Sequence, residues 1–278
     1  MMTRKQRRLI EDTIVSIIAI AIGFVIIFPV IYAILGAFKT SNEFLTPKLF
    51  PGSFKYLENF KNALRMGNLL RYSVNSFIIA LIGTTVRMIF SILAAYAFAY
   101  YDWKGKNICF FLILGTMMIP GDVLLTTNYI TVSRLHLLNT YLACMIVSFV
   151  SASQMFMLRQ RFMSIPKDMR EAAQIDGYGD VYYITRILIP ICKPVLTTLF
   201  IQSFINIWNA YLWPLIVTAS KPDMRTIMVG ITKLNSWENE NYELVLAGVV
   251  ISLIPSFIMF IIMRRNMRKG GMEGALVG

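Results

Sequence analysis

The amino-acid sequence predicts an all-α, polytopic membrane protein, a bundle of six transmembrane helices. Two features of the chain lead there. Of its 278 residues, 56% are hydrophobic and only 15% charged, where soluble domains carry about 25% charged residues. Long apolar runs recur along the chain, and a helix needs about 20 apolar residues to cross a hydrocarbon core of ~30 Å. The connections between runs are too short to separate domains. The chain therefore divides into a tail over residues 1–11, one membrane domain over 12–263 and a second tail over 264–278.

The runs lie near residues 12–37, 73–100, 108–130, 138–158, 191–217 and 244–263. The first follows a basic "TRKQRR", and from Ile14 to Phe38 it has 25 residues without a charge. It lacks the short apolar region and cleavage site of a signal peptide and reads as a retained span. The second carries Arg87 at its middle, and the third contains the break "PGD" at Pro120–Asp122. The fifth ends in "INIWNAYLWP". With the N-terminus inside, 16 basic residues fall in inside segments and 10 in outside segments, a bias that puts both termini in the cytoplasm.

The net charge of +12 is read as this orientation signal, because no stripe of Lys and Arg alternates with exposed aromatics as nucleic-acid binding would require. Cys109, Cys144 and Cys192 lie too far apart to indicate a disulfide framework or a metal site. His136 is the only histidine, which leaves no Ser-His-Asp or Cys-His nucleophile arrangement. No Gly-rich phosphate loop ending in Gly-Lys-Ser/Thr occurs; the one Gly-Lys pair, Gly105–Lys106, is followed by Asn107. The chain is not expected to be an enzyme or to hold a cofactor. An intramembrane transferase would need acids gathered at one membrane face, and a secondary transporter usually shows paired repeats with broken helices. Those two classes remain open as alternatives.

Between the fourth and fifth runs lies the longest polar-rich stretch, residues 164–190. Ser164 and Pro166 are helix-start signals and Gly177 a left-handed stop, predicting a helix over 166–176 and a second from Asp180 to Pro190. Helices this short need a packing partner. Met169, Ala172, Ala173 and Asp176 share one face at i, i+3, i+4 and i+7, with Glu171 and Asp176 able to accept hydrogen bonds. The stretch is either an amphipathic loop lying on the protein's own spans or a cytoplasmic knob that docks on a partner.

The pattern "EAAQIDG", nine residues and "ILIP" resembles the EAA loop of ABC importer permeases, carried by Glu171, Ala172, Ala173, Asp176, Gly177 and Pro190. The resemblance extends through "FPVIYAILGAFKT", "LAAYAFA", "MIPGDVLL" and "WNAYLWPLIV" to the six-span carbohydrate-uptake permeases of the maltose type. Tyr178, Ile184 and Ile189 stand where that family usually has Ala, Phe and Leu. The resemblance implies a type I importer fold in a bacterial inner membrane. It also implies a second homologous permease, two cytoplasmic ATPase subunits that receive the knob, and an extracytoplasmic solute-binding protein. It further implies that the glycine-rich tail, with Val277 in place of a common Lys, reaches between the ATPases.

A charge at mid-span costs about 2.5–3.5 kcal/mol on insertion scales. At 1.5 Å per residue, Arg87 and Asp122 lie about 21 and 22 Å from the cytoplasmic ends of straight helices, so the two could pair. Alternatively, the Arg87 fork receives an anionic group of the solute, such as the phosphate of glycerol 3-phosphate. Asn206, Trp208 and Asn209, with Tyr211 and Trp213, are further candidates for lining the path, because sugars stack on aromatic faces and bond to amides. Tyr211 and Trp213 fit an interfacial aromatic belt equally well.

Overall fold

The structure, a computed structural model, describes residues 4–274 apart from 45, 47, 55 and 235–240. Among the described residues it is helical without strands. Helix α1 is Arg4–Ala37, α2 Leu69–Tyr100, α3 Lys106–Thr116, α4 Leu125–Arg134, α5 Tyr141–Ile146 and α6 Ala152–Met163. Helix α7 is Asp168–Ile175, α8 Asp180–Ile191, α9 Lys193–Trp208 and α10 Tyr242–Gly274.

All six predicted apolar runs are helical, but they are built differently. Three are long single helices: Asp12–Ala37 of α1, α2, and Tyr242–Ile262 of α10. The third run is a pair bent by 93° between Lys106–Thr116 and Gly121–Arg134. That is the break expected at Pro120–Gly121. The fifth begins at a bend of 85° between α8 and α9. Pro194, at the second position of α9, supplies no amide to continue the ladder of α8 across that bend. Counting each bent pair as one span gives five candidates by length and composition. The remaining run, 138–158, is divided between α5 and the start of α6, with Thr140 and Ser151 each accepting an N-cap hydrogen bond. These two helices are about 9 and 18 Å long, so they cross a ~30 Å core only in series.

The chain forms two compact units, residues 1–69 with 231–253 and residues 70–230 with 254–278. In the first, α1 leaves most of its apolar residues outward, with Val25 and Ile26 each 70% exposed, as a lipid-facing helix does. Its C-terminal carbonyls are satisfied by Asn59, whose amide donates to Ala37 and Lys39 at 2.9 and 2.7 Å. Lys39 is buried, and its ammonium lies 5.2 Å from the Phe44 ring and donates to the Lys48 carbonyl.

The core of the second unit gathers around the C-terminal half of α2. Tyr96, Phe98, Phe110, Leu158, Phe162, Tyr183 and Leu188 pack into one cluster. Arg159 ties this end together: it donates to the Phe98 carbonyl at 3.2 Å and covers the Phe110 ring at 4.1 Å. Toward the opposite end of α2, Asn75 donates to the carbonyls of Asp223 and Arg225 and accepts from Tyr141 at 2.8 Å. The C-terminal tail, expected to be extended by its glycines, continues α10 as far as Gly274; Val277 lies outside the described residues.

Candidate functional site

The stretch 164–190 folds as two helices, as its punctuation predicts. Helix α7 is shorter than the expected 166–176 because Ser164 does not start it. Its hydroxyl donates back to the Arg161 carbonyl at 2.7 Å and closes α6. The far end follows the sequence signal closely. Gly177 has φ +82°, its amide donates to the Gln174 carbonyl at 3.0 Å, and the Tyr178 amide donates to Ala173 at 2.9 Å. This pair of bonds is a Schellman stop, which demands the left-handed residue. Helix α8 then widens to a π turn over Tyr183–Leu188, giving the Pro190 ring room where an α-helical ladder would collide with it.

The predicted face of α7 divides between two environments. Ala173 is 4% exposed and belongs to the protein's own core, so it is not a surface for a partner. Glu171, Ala172, Asp176, Gly177 and Pro190 are exposed. Beside them stand apolar groups that a solitary soluble surface would not favour. Ile175 is 86% and Val181 77% exposed, and the Tyr178 and Tyr182 rings stack at 4.0 Å. One face therefore lies on the protein's own core, as the first sequence reading has it, and the other is exposed.

An unpredicted network fixes the segment. Arg170 Nη2 lies 2.9 Å from Asp180 Oδ1, and its Nε donates to Asp180 and to Tyr96 at 3.0 and 2.8 Å. Tyr96 donates to Asp180 at 2.6 Å, and Tyr101 donates to its other oxygen. The Arg170 guanidinium also sits 5.1 Å from the Tyr101 ring. Burial alone would raise the Asp180 carboxyl, but the bonds from Tyr101, Tyr96 and Arg170 outweigh it and hold the group below the usual carboxylate range. The same bond to Asp180 raises Tyr101. Helices α7 and α8 are thereby joined to each other and to the end of α2. Pairs 74, 79 and 84 positions apart join this network to α2, and no local spacing announces it.

The second candidate lies half-way along α2. Arg87 and Asn206 line one cavity of about 130 Å³, together with Ser151, Ser153, Gln154 and Gln202. Met157 and Leu199 supply apolar wall. Gln154 is 4% exposed and oriented by Ser203, whose hydroxyl donates to its carbonyl oxygen at 2.7 Å. Arg87 Nε donates to the carbonyl of Ser148, which lies in the break between α5 and α6.

The Arg87–Asp122 pair allowed by the depth estimate is not formed. The estimate takes the third run as straight, whereas the 93° bend puts Asp122 in an exposed turn. Trp208 is not part of the cavity lining. It is 1% exposed and stacked against Phe204 at 6.1 Å, a core residue of α9. Asn209 is exposed and ends that helix. Tyr211 is 40% exposed, and Trp213 donates to the Ala143 carbonyl at 2.9 Å. The serines and glutamines of the cavity were signalled by their polarity inside apolar runs, "SASQ" and "IQS".

A membrane helix bundle bearing this exposed, glycine-stopped hairpin defines an ABC importer permease. The chain belongs to the family described as binding-protein-dependent transport system inner membrane component, whose profile matches residues 59–269. It is 33% identical to the arabinooligosaccharides transport system permease protein AraQ of Halalkalibacterium halodurans, over 92% of this chain and 93% of that one. It is 29% identical to the sn-glycerol-3-phosphate transport system permease protein UgpE of Brucella melitensis, over 96% and 98%. It is 30% identical to the lactose transport system permease protein LacG of Rhizobium radiobacter, over 97% and 98%. The fold is similar to that in the crystal structure of a bacterial ABC transporter involved in the import of the acidic polysaccharide alginate. That likeness has a TM-score of 0.82 at 20% identity and covers 95% of this chain and 98% of that one.

Proposed function

We propose that the protein is the permease subunit of an ATP-driven importer of a carbohydrate-class solute, forming part of the translocation path and passing on the work of a separate ATPase. It pairs with a second homologous permease, docks on two cytoplasmic ATPase subunits and receives solute from an extracytoplasmic binding protein. Both termini lie in the cytoplasm of a bacterial cell, the chain residing in the inner membrane. The observation that carries this reading is the hairpin α7–α8, with Glu171, Asp176 and the apolar groups Ile175 and Val181 exposed on one side. Its other side is fixed by Arg170 and Asp180 to α2, so a push on the exposed side is transmitted to a membrane-crossing helix. Arg87 and Asn206 contribute to the solute path. The solutes named for the relatives, two sugars and a polyol phosphate, support a carbohydrate-class solute without choosing among its members.

The test is uptake into vesicles reconstituted with the chain, its companion permease, the ATPases and the binding protein. Import should require ATP inside the vesicle at the ATPase face. Uptake driven by an ion gradient without ATP would instead indicate a secondary transporter.

A further inference from the structure

We propose that Arg87 and the cavity around it accept an anionic oxygen group, a phosphate or carboxylate, carried by the transported solute. This rests on the permease reading above and narrows its solute class.

The argument begins with charge balance. Apart from Asp12 at the start of the first run, Asp122 is the only carboxylate in the six apolar runs. Asp122 is exposed, and among the described residues no carboxylate pairs with Arg87. A guanidinium in a membrane span is costly unless it faces water, a counter-charge or a ligand. Its one bond among the described residues, from Nε to the Ser148 carbonyl, neutralises no charge. That bond does orient the group, leaving the two terminal nitrogens as the paired donors that match two oxygens of a phosphate or carboxylate.

The remaining lining completes the chemistry. Ser151, Ser153, Gln202 and Asn206 offer hydroxyl and amide groups that both donate and accept, and none of the lining residues is acidic. An oxyanion is served by their donors and meets no carboxylate that would repel it. Size points the same way. A volume of about 130 Å³ is well under the 300–1,000 Å³ of sites that enclose a whole small molecule. The cavity suits one charged substituent, with the rest of the solute extending outside it.

The experiment uses the complete importer in proteoliposomes with four probes: sn-glycerol 3-phosphate, an oligogalacturonate, lactose and an arabino-oligosaccharide. The wild type should import at least one of the two anionic probes with ATP. Arg87→Gln should reduce that uptake tenfold or more while the subunits still copurify, and Arg87→Lys should restore part of it. ATP-driven uptake of the neutral probes alone would overturn the anion assignment and leave the importer reading intact. No ATP-driven uptake of either anionic probe, or undiminished anionic uptake by Arg87→Gln, would overturn it as well. If Arg87→Gln separates the two permeases, the counter-charge belongs to the partner permease and the assignment fails. Uptake that proceeds without ATP would instead remove the importer reading itself.

Discussion

The two candidate regions of the second unit treat a half-buried arginine in opposite ways. At the C-terminal end of α2, Arg170 meets a carboxylate, the Tyr96 hydroxyl and aromatic faces, so its charge is engaged within the chain. Nine residues before Tyr96 on the same helix, Arg87 meets one carbonyl and an open polar cavity. A satisfied charge makes a rigid joint, whereas an unsatisfied one in a low-dielectric setting waits for a counter-charge. The first arrangement suits transmission of force and the second suits transient occupation by a solute.

The largest effect expected from breaking this comparison lies at its border. Trp208 fills the core beside the cavity, so Trp208→Ala should lower the stability of the folded chain by about 3–5 kcal/mol, measured by unfolding in detergent. A stable variant that has merely lost uptake would return Trp208 to the solute path. Next comes Gly177→Val. A β-branched residue at φ +82° is strained, by about 1–2 kcal/mol for the left-handed conformation alone. No atom lies within 4 Å of an added Cβ, so the damage is to the turn and not to packing. Uptake should fall about tenfold at equal membrane expression, with Gly177→Asn much closer to wild type because Asn tolerates that conformation. Equal uptake by Gly177→Val would detach the turn from coupling.

A smaller change is expected at the joint. Asp180→Asn removes the charge that Arg170 needs and should loosen the hairpin by about 1–3 kcal/mol, read as faster proteolysis within 164–190. Because the Asp180 carboxyl is lowered in the folded chain, its contribution is fully present above the unfolded value of about 3.9. It is lost as pH falls through the lower folded value. Protection of the hairpin in the wild type should accordingly persist from neutral pH to about pH 4 and decline below it. The smallest effect belongs to Asp122→Leu. With no partner to lose, its stability should change by no more than about 0.5 kcal/mol. A loss of several kcal/mol would restore the ion pair that the bend excludes.

What the sequence made legible was local. The Gly177 stop, the Pro120–Gly121 break and the apolar runs each depend on residues a few positions apart. The joint was not legible, because Tyr96 lies 74 positions from Arg170 and 84 from Asp180, and only tertiary packing brings them together. Asp122 was misplaced for a related reason: a depth counted along a straight helix has no meaning beyond a right-angle bend. Ser164 competed between closing α6 and starting α7, and local pattern alone does not decide that contest. Trp208 was a candidate because sugars stack on aromatic faces, yet the helical period turns it toward Phe204 and the core.

The central claim is that the exposed side of α7–α8 is the surface on which an ATPase docks. The direct measurement places a photo-reactive benzoylphenylalanine at Ile175, 86% exposed at the tip of α7, in the chain expressed with its companion subunits. Irradiation of the assembled complex should link this position to the ATPase subunit, with the same group at the lipid-facing Val25 giving no such product. An Ile175 adduct confined to lipid or to the permease itself, in a complex whose ATPase is present, would contradict the account.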